Sequence, residues 1–213
     1  MGPAMPHEPG CSHMTFHWSL VPWLAAASLA HAATVDVRVA NAAGQPLGGA
    51  VVMLQPASGK LPVQPLGGVQ IAQARRQFNP AVTVVTVGTA VSFPNLDSVR
   101  HHVYSFSSAK SFELKLYAGV PAAPVVFDKP GVAVLGCNIH DRMVAWVVVV
   151  DTPLYGVSAA DGHAQLAAVP AGDYQLQVWH AGLRSGSPAP AQALHVGAAD
   201  LSPELRLDTE TTP

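Results

Sequence analysis

The sequence predicts an all-β protein, with a sandwich or barrel in its middle part and a second, smaller β-sandwich formed by the segments on either side. Short β-rich runs follow one another between Val69 and Val150, with Gly, Pro, Asn or Asp between most of them. Strands at this spacing are typical of sandwiches and barrels rather than of βαβ units. No convincing amphipathic helical pattern occurs. With 213 residues, 49% of them hydrophobic, the chain has ample apolar surface to bury in a core.

Residues 1–32 are predicted to be a cleaved signal peptide. The run Leu20–Ala30 is as long as a signal-peptide apolar core and too short to cross a bilayer as a helix. Ala30-His31-Ala32 then supplies the small-x-small pattern of a cleavage site. No Lys or Arg precedes the run, and Met14 is an alternative start. The competing interpretation is that these residues form a buried or membrane-anchoring helix, but a retained anchor would need a longer apolar run. We expect export to the periplasm and no stable membrane span in the mature chain.

The two flanking segments share one style of alternating strand. Residues 33–62 contain the runs TVDVRVA and AVVML with turn formers between them, which is a hairpin signal. Residues 152–208 contain HAQLAAV, YQLQVWH and LSPELRL. Because two strands alone do not form a stable sheet, the two segments are expected to pair as the small β-sandwich. Residues 63–151 are then an inserted domain, and residues 209–213 form a tail.

Charge narrows the class of partner. Charged residues make up only 11% of the chain and the formal net charge is −2. Phosphate binding needs a basic excess that this composition lacks. The sequence therefore predicts no nucleic-acid partner.

Cysteine usage points to one residue. Removing residues 1–32 takes away Cys11 and leaves Cys137 as a single cysteine in an oxidising compartment. An unpaired thiol there tends to be oxidised or cross-linked unless something protects it. Either burial or a metal ion could protect Cys137.

The neighbours of this cysteine favour a metal. Cys137, His140 and Met143 offer a thiolate, an imidazole and a thioether within one loop between two predicted strands. His101 or His102, at the start of an upstream strand, offers a fourth donor. Two imidazoles and a thiolate with a weak axial thioether suit both Cu(I) and Cu(II), whereas zinc rarely recruits Met. Each residue alone would more simply be a core or surface residue. Together, at Cys-x-x-His-x-x-Met spacing, they indicate a copper site.

Residues 78–150 resemble a cupredoxin, and the Cys-x-x-His-x-x-Met spacing matches the short ligand loop of amicyanins; plastocyanins place the Met further away. The segment from Asn95 to Val103 is similar to the first-ligand region, in which the ligand histidine is commonly followed by Asn. By that resemblance His101 is the ligand and His102 takes the Asn position. The resemblance implies a Greek-key β-sandwich or barrel that holds one type 1 copper ion through four residues: His101, Cys137, His140 and Met143.

A wider resemblance covers residues 34–182. The motifs FPN, HHVYSFS, FELKLY and GCNIHDRM are similar to those of the cupredoxin-containing proteins often labelled methylamine utilization proteins. In that group the flanking segments, here GQPLGGAVV and LAAVPAGDYQLQVWH, are similar to carboxypeptidase regulatory-like sandwich domains. The label implies a context and not a role in amine oxidation.

The implied function is that of a periplasmic carrier of single electrons between redox partners. By resemblance, His140 lies near the surface, and Arg100 and Arg142 flank two ligands. The two arginines either form a docking rim for an acidic redox protein or are ordinary solvated residues. Copper carriage or storage without redox turnover is the first alternative. An enzyme is not expected, because there is one predicted copper site, with a full ligand set, and no second histidine cluster. The histidines at 163, 180 and 195 lack ligand spacing.

Overall fold

The computed structural model describes residues 1–2, 32–183 and 190–209. The described residues form seventeen strands and no helix, which confirms the all-β prediction. Accordingly, none of them belongs to a helix that is long and apolar enough to span a membrane. The predicted signal peptide lies outside the described residues except at its two ends, and the predicted tail lies outside them after Thr209.

The strands follow in chain order, with the bounds that the structure gives them. They are β1 (Ala32–Asn41), β2 (Val51–Pro56), β3 (Val69–Gln70), β4 (Ala72–Ala74), β5 (Gln77–Asn79), β6 (Val82–Thr86), β7 (Thr89–Ser92), β8 (His101–Phe106), β9 (Ser111–Tyr117), β10 (Val125–Phe127), β11 (Gly131–Gly136), β12 (Val144–Val150), β13 (Tyr155–Val157), β14 (His163–Pro170), β15 (Gly172–Trp179), β16 (Ala191–Val196) and β17 (Glu204–Leu207).

One sandwich, here called the flanking sandwich, combines strands from distant parts of the chain. Its sheets have the orders β14-β1-β17 and β13-β2-β15-β16. In β1 the alternate residues Val35, Val37 and Val39 are fully buried, as expected where one face of a strand covers a core. They pack with Leu54 and Leu176 of the other sheet in one buried cluster.

The second sandwich, here called the central sandwich, carries the predicted metal ligands. Its main sheet has the order β6-β12-β11-β8-β9 and faces the three-stranded sheet β10-β7-β3, with β4 and β5 forming a separate hairpin. Phe93, Phe127 and Leu135 are among the buried side chains of its core. The buried cluster between these sheets also contains Cys137 and Met143.

Strand β12 explains how the two sandwiches meet. Its run of four valines is buried on both faces of the strand. A strand with one exposed face typically alternates apolar and polar residues, so burial on both faces accounts for the continuous apolar sequence. Val147 and Val149 face the central core, while Val148 and Val150 pack with Val51 of the flanking sandwich. The two sandwiches therefore share an apolar contact through this strand.

Candidate metal centre

The sheet topology brings His101 to Cys137. Strand β8 begins at His101 and runs antiparallel to β11, which ends at Gly136 opposite Tyr104. The start of one strand therefore lies beside the end of the other, and the loop that follows β11 passes His101. This loop spans residues 137–143 and leads directly into β12.

Three donor side chains converge at this point. The Nδ1 atom of His101 lies 4.0 Å from the sulfur of Cys137, and the Nδ1 atom of His140 lies 3.7 Å from it. The ligand atoms of the three residues all lie within 4.8 Å of one another. Among the residues that the structure describes, this is the only group of three His, Cys, Asp or Glu side chains with such spacing. The arrangement is a candidate metal site.

Hydrogen bonds within the loop set the spacing of its donors. The His140 N–H donates to the Cys137 carbonyl at 3.5 Å, and the Met143 N–H donates to the His140 carbonyl at 3.0 Å. Two successive turns thus separate the three residues. Met143 is only 1% exposed, belongs to the same buried cluster as Cys137, and lines the same cavity.

The two adjacent histidines have different surroundings. Successive residues of a strand point to opposite faces, and His101 points inward to Cys137 with no exposed surface. His102 faces the other way, and its Nε2 atom lies 2.8 Å from the Glu113 carboxylate. The structure therefore brings His101, and not His102, to the candidate site.

Asp97 is a site residue that sequence reasoning missed. One of its carboxylate oxygens lies 2.8 Å from Nε2 of His101. The carboxylate also accepts the backbone N–H groups of Arg75 at 2.7 Å and Arg76 at 2.9 Å. The Arg76 hydrogen bond, and to a smaller extent that of His101, lowers the pKa of Asp97, although desolvation raises it. An ionised carboxylate can only accept, so Nε2 of His101 donates and Nδ1 is left to face the sulfur.

The loop that carries Asp97 is fixed by Asn95, which is 4% exposed. The Asn95 side-chain amide donates to the carbonyls of Val99 and Tyr117, both at 2.9 Å. Its side-chain oxygen accepts the Asp97 N–H at 3.0 Å. These bonds join the loop to β9 and hold Asp97 at the entrance to β8. The only signal in the sequence was an aspartate four residues before the histidine.

Exposure differs among the residues at the site. His101, Cys137 and Met143 are buried, whereas His140 is partly exposed at the rim. Arg100 and Arg142 are both exposed, as are Ile139 and Leu96 nearby in the same two loops. Of the donor side chains, therefore, His140 is the one that reaches solvent.

The three histidines without ligand spacing lie away from this centre. His163 and His195 are at the surface, where Nδ1 of each faces a carboxylate, at 3.2 Å from Asp36 and 2.7 Å from Asp173. His180 is partly buried, accepts the Gly182 N–H at 3.0 Å, and has a pKa lowered by desolvation. None of them belongs to the group of converging donors.

No protein-family model matches the chain, and no curated protein matches it. Several solved structures do. A purple cupredoxin from Nitrosopumilus maritimus is 25% identical, with 39% of this chain and 100% of that one covered, at a TM-score of 0.35. A reduced Cu(I) form of an amicyanin variant is 18% identical; the match covers 46% of this chain and 98% of that one, at a TM-score of 0.36. A copper-containing nitrite reductase from Thermus scotoductus SA-01 is 28% identical; the match covers 45% of this chain and 25% of that one, at a TM-score of 0.37. TM-scores below 0.5 do not establish a family or a function for this chain.

Proposed function

We propose that the chain binds one type 1 copper ion through His101, Cys137 and His140, with Met143 as a weaker axial ligand. The observation that carries this proposal is the convergence of two imidazole Nδ1 atoms on one buried sulfur, at 4.0 and 3.7 Å. The thiol has no disulfide partner among the described residues.

The spacing of the three donors fits a bound ion. Metal bonds of about 2.0 Å to nitrogen and about 2.3 Å to sulfur, at about 120° to each other, separate the two donor atoms by about 3.7 Å. The distance from His140 to the sulfur, 3.7 Å, matches that value, and the distance from His101, 4.0 Å, is slightly longer. This spacing supports a site in which the three side chains are the equatorial ligands.

The chemistry of the donors favours copper over zinc. Two imidazoles, one thiolate and a thioether form a set that accommodates both Cu(I) and Cu(II). Structural zinc sites are built from four Cys or His ligands, and catalytic ones keep an open position. The burial of Met143 beside Cys137 supports a thioether as the fourth donor.

We further propose that the protein carries single electrons in the periplasm and is not an enzyme. His140 is the donor that reaches the surface, so its ring edge offers the shortest way out for an electron. A full ligand set leaves no position for a substrate. The exposed Arg100 and Arg142 would favour a redox partner with an acidic docking face. The motifs shared with proteins labelled methylamine utilization proteins support a place in that group.

A visible spectrum of the copper-loaded protein tests the function. One copper per chain and an intense blue or green colour are expected, because the Cys137 thiolate couples strongly to Cu(II). Cys137→Ala should abolish the colour, whereas His102→Asn, which alters the histidine outside the site, should keep it. Retained colour in the Cys137 variant would refute the assignment. A protein that binds Cu(I), stays colourless on oxidation and yields its ion readily to chelators would be a carrier or store instead.

Charge reversal tests the docking rim. Arg100→Glu with Arg142→Glu should slow electron transfer to an acidic redox protein and weaken its dependence on salt, since charges at a rim act mainly on the association rate. Lys60→Glu, a reversal on an exposed residue outside the two ligand loops, is the control. An unchanged salt dependence in the arginine variant would rule the rim out.

A further inference from the structure

We infer that Asp97 is a positioning residue: its hydrogen bond to Nε2 of His101 holds that ring with Nδ1 toward the metal and lowers the reduction potential of the centre. This inference rests on the proposed copper function. Asp97 is not one of the converging donors and would act only through His101.

The polar contacts of His101 define its role. The ring is fully buried, with the Asp97 carboxylate 2.8 Å from Nε2 and the Cys137 sulfur 4.0 Å from Nδ1. Each ring nitrogen therefore faces one partner. In a neutral imidazole one nitrogen carries the proton and the other has the free lone pair. A carboxylate at Nε2 places the proton there, which leaves the lone pair on the nitrogen that faces Cys137.

Asp97 is itself held in place by the turn between β4 and β5. It accepts the N–H groups of Arg75 and Arg76 through separate oxygens. Both arginines have positive φ angles, 55° and 58°, which residues other than glycine rarely adopt. The hydrogen bonds to Asp97 stabilise this unfavourable backbone. The carboxylate is thus anchored by main chain on one side and meets the candidate ligand on the other.

The consequence for a bound ion is electrostatic. Carboxylates that accept a hydrogen bond from a ligand imidazole fix its orientation and make it a stronger donor. A negative charge near the centre also favours the more highly charged Cu(II) over Cu(I). Loss of the carboxylate should therefore weaken Cu(II) binding more than Cu(I) binding and raise the reduction potential.

The chain offers a matched pair for comparison. His102 and Glu113 form a second imidazole–carboxylate contact at the same 2.8 Å, one residue along β8 but on its other face. Glu113→Gln removes a negative charge beside a histidine that does not face Cys137. It should leave the potential of the copper centre close to that of the parent.

The experiment compares Asp97→Asn and Glu113→Gln with the parent protein, each shown to be folded by circular dichroism. Affinities for Cu(I) and Cu(II) are measured by chelator competition and the potential by voltammetry. Asp97→Asn should lose about 10- to 100-fold in Cu(II) affinity, and each tenfold loss of Cu(II) relative to Cu(I) binding raises the potential by about 59 mV. Values equal to the parent's would overturn the inference and leave Asp97 as a turn-stabilising residue. An equal shift in Glu113→Gln would also overturn it.

A second measurement needs neither a variant nor copper. Nitrogen-15 NMR of the copper-free parent protein reports which ring nitrogen of His101 carries a proton. A proton on Nε2 is expected, and a ring protonated only on Nδ1 would overturn the inference even if the protein binds copper. A protein with the expected proton that fails to bind copper would instead contradict the proposed function.

Discussion

The buried thioether of Met143 can be separated from its role as a filler of space. Met143 is 1% exposed and lines the same cavity as Cys137. Truncation to alanine would remove the donor and also leave a void that costs about 2–5 kcal/mol. Leucine has a similar volume and lacks the sulfur, so it isolates the chemistry of the ligand.

Met143→Leu should therefore keep the colour, shift the reduction potential and weaken copper retention, because the three equatorial donors remain while the axial one is lost. Its effect on folding should stay below about 1.5 kcal/mol. Voltammetry and thermal unfolding measure the two effects. Met53→Leu, at the contact between the sandwiches, is the control for removing a thioether elsewhere. An unchanged potential in Met143→Leu would argue against axial ligation.

At the scale of residues, the sequence predicts the metal-donor residues that lie in one loop better than it predicts the residues that hold the donors in position. Cys137, His140 and Met143 are separated by a spacing that single turns of chain impose, so their pattern can be read directly. Asp97 could not be identified, because its position depends on a backbone turn at Arg75 and Arg76 that those residue types do not favour. That His101 rather than His102 faces Cys137 follows from the register of β8 against β11.

At the scale of elements, the junction of β8 and β11 is closely packed next to the site. Gly136 ends β11 opposite Tyr104, and a Cβ atom at this glycine would lie 2.7 Å from the Tyr104 ring. That ring in turn lies between the rings of His102 and Phe106 and is tilted against both, with centroid distances of 5.4 and 5.2 Å. A methyl group at Gly136 must therefore displace the Tyr104 ring.

Gly136→Ala should destabilise the fold by about 1 kcal/mol, at the low end for overpacking because the partly exposed tyrosine can swing outward. It should also alter the visible spectrum, since Cys137 is the next residue. Gly197→Ala, where a Cβ meets nothing within 4 Å, is the matched control. Adding Tyr104→Ala should relieve the clash, so the double variant should lose less than the sum of the single ones. An additive result would show that the two residues do not interact.

Strand patterns were predicted well where one rule decides them. The alternation in β1 follows from burial of one face of the strand, and the unbroken valines of β12 follow from burial of both faces. The order of strands in each sheet was not predicted, because β6 beside β12 and β1 beside β17 are parallel pairs of distant segments. Pairing of this kind leaves no local signal in a sequence.

At the scale of the whole molecule, Thr152 joins the two sandwiches where the chain leaves β12. It is fully buried, and its hydroxyl donates to the Leu54 carbonyl at 2.7 Å and accepts the Leu154 N–H at 3.1 Å. Thr83, in β6, has a buried hydroxyl with no hydrogen-bond partner among the described residues. The same substitution at these two positions should therefore have opposite effects.

Thr152→Val should cost about 1–3 kcal/mol of stability, because a buried carbonyl and a part-buried N–H group lose their partner, whereas Thr83→Val should be nearly neutral or stabilising. Urea unfolding measures the difference. The visible spectrum should be unchanged in both, since neither residue contacts the metal centre. Equal costs at the two positions would mean that the Thr152 hydrogen bonds do not stabilise the junction.

The division into residues 33–62, 63–151 and 152–208 stays a prediction, as do the periplasmic address and the redox partner. The pairing of β1 with β14 and β17, and of β2 with β15, is what that division requires. Sequence style alone could suggest that the two flanking segments belong together. It could not show that β12 packs against both cores.

The position of β1 between β14 and β17 has a consequence for how the protein is made. Val35 pairs with Leu166, and Val39 with Leu205, so this strand is synthesised long before either neighbour exists. Closing such long loops is slow, whereas β11 and β12 are consecutive in the chain and can pair early. We therefore expect the central sandwich to form before the flanking sandwich. Strand β1 is apolar and stays unpaired during that interval. We therefore expect a chaperone that recognises exposed apolar segments to bind it.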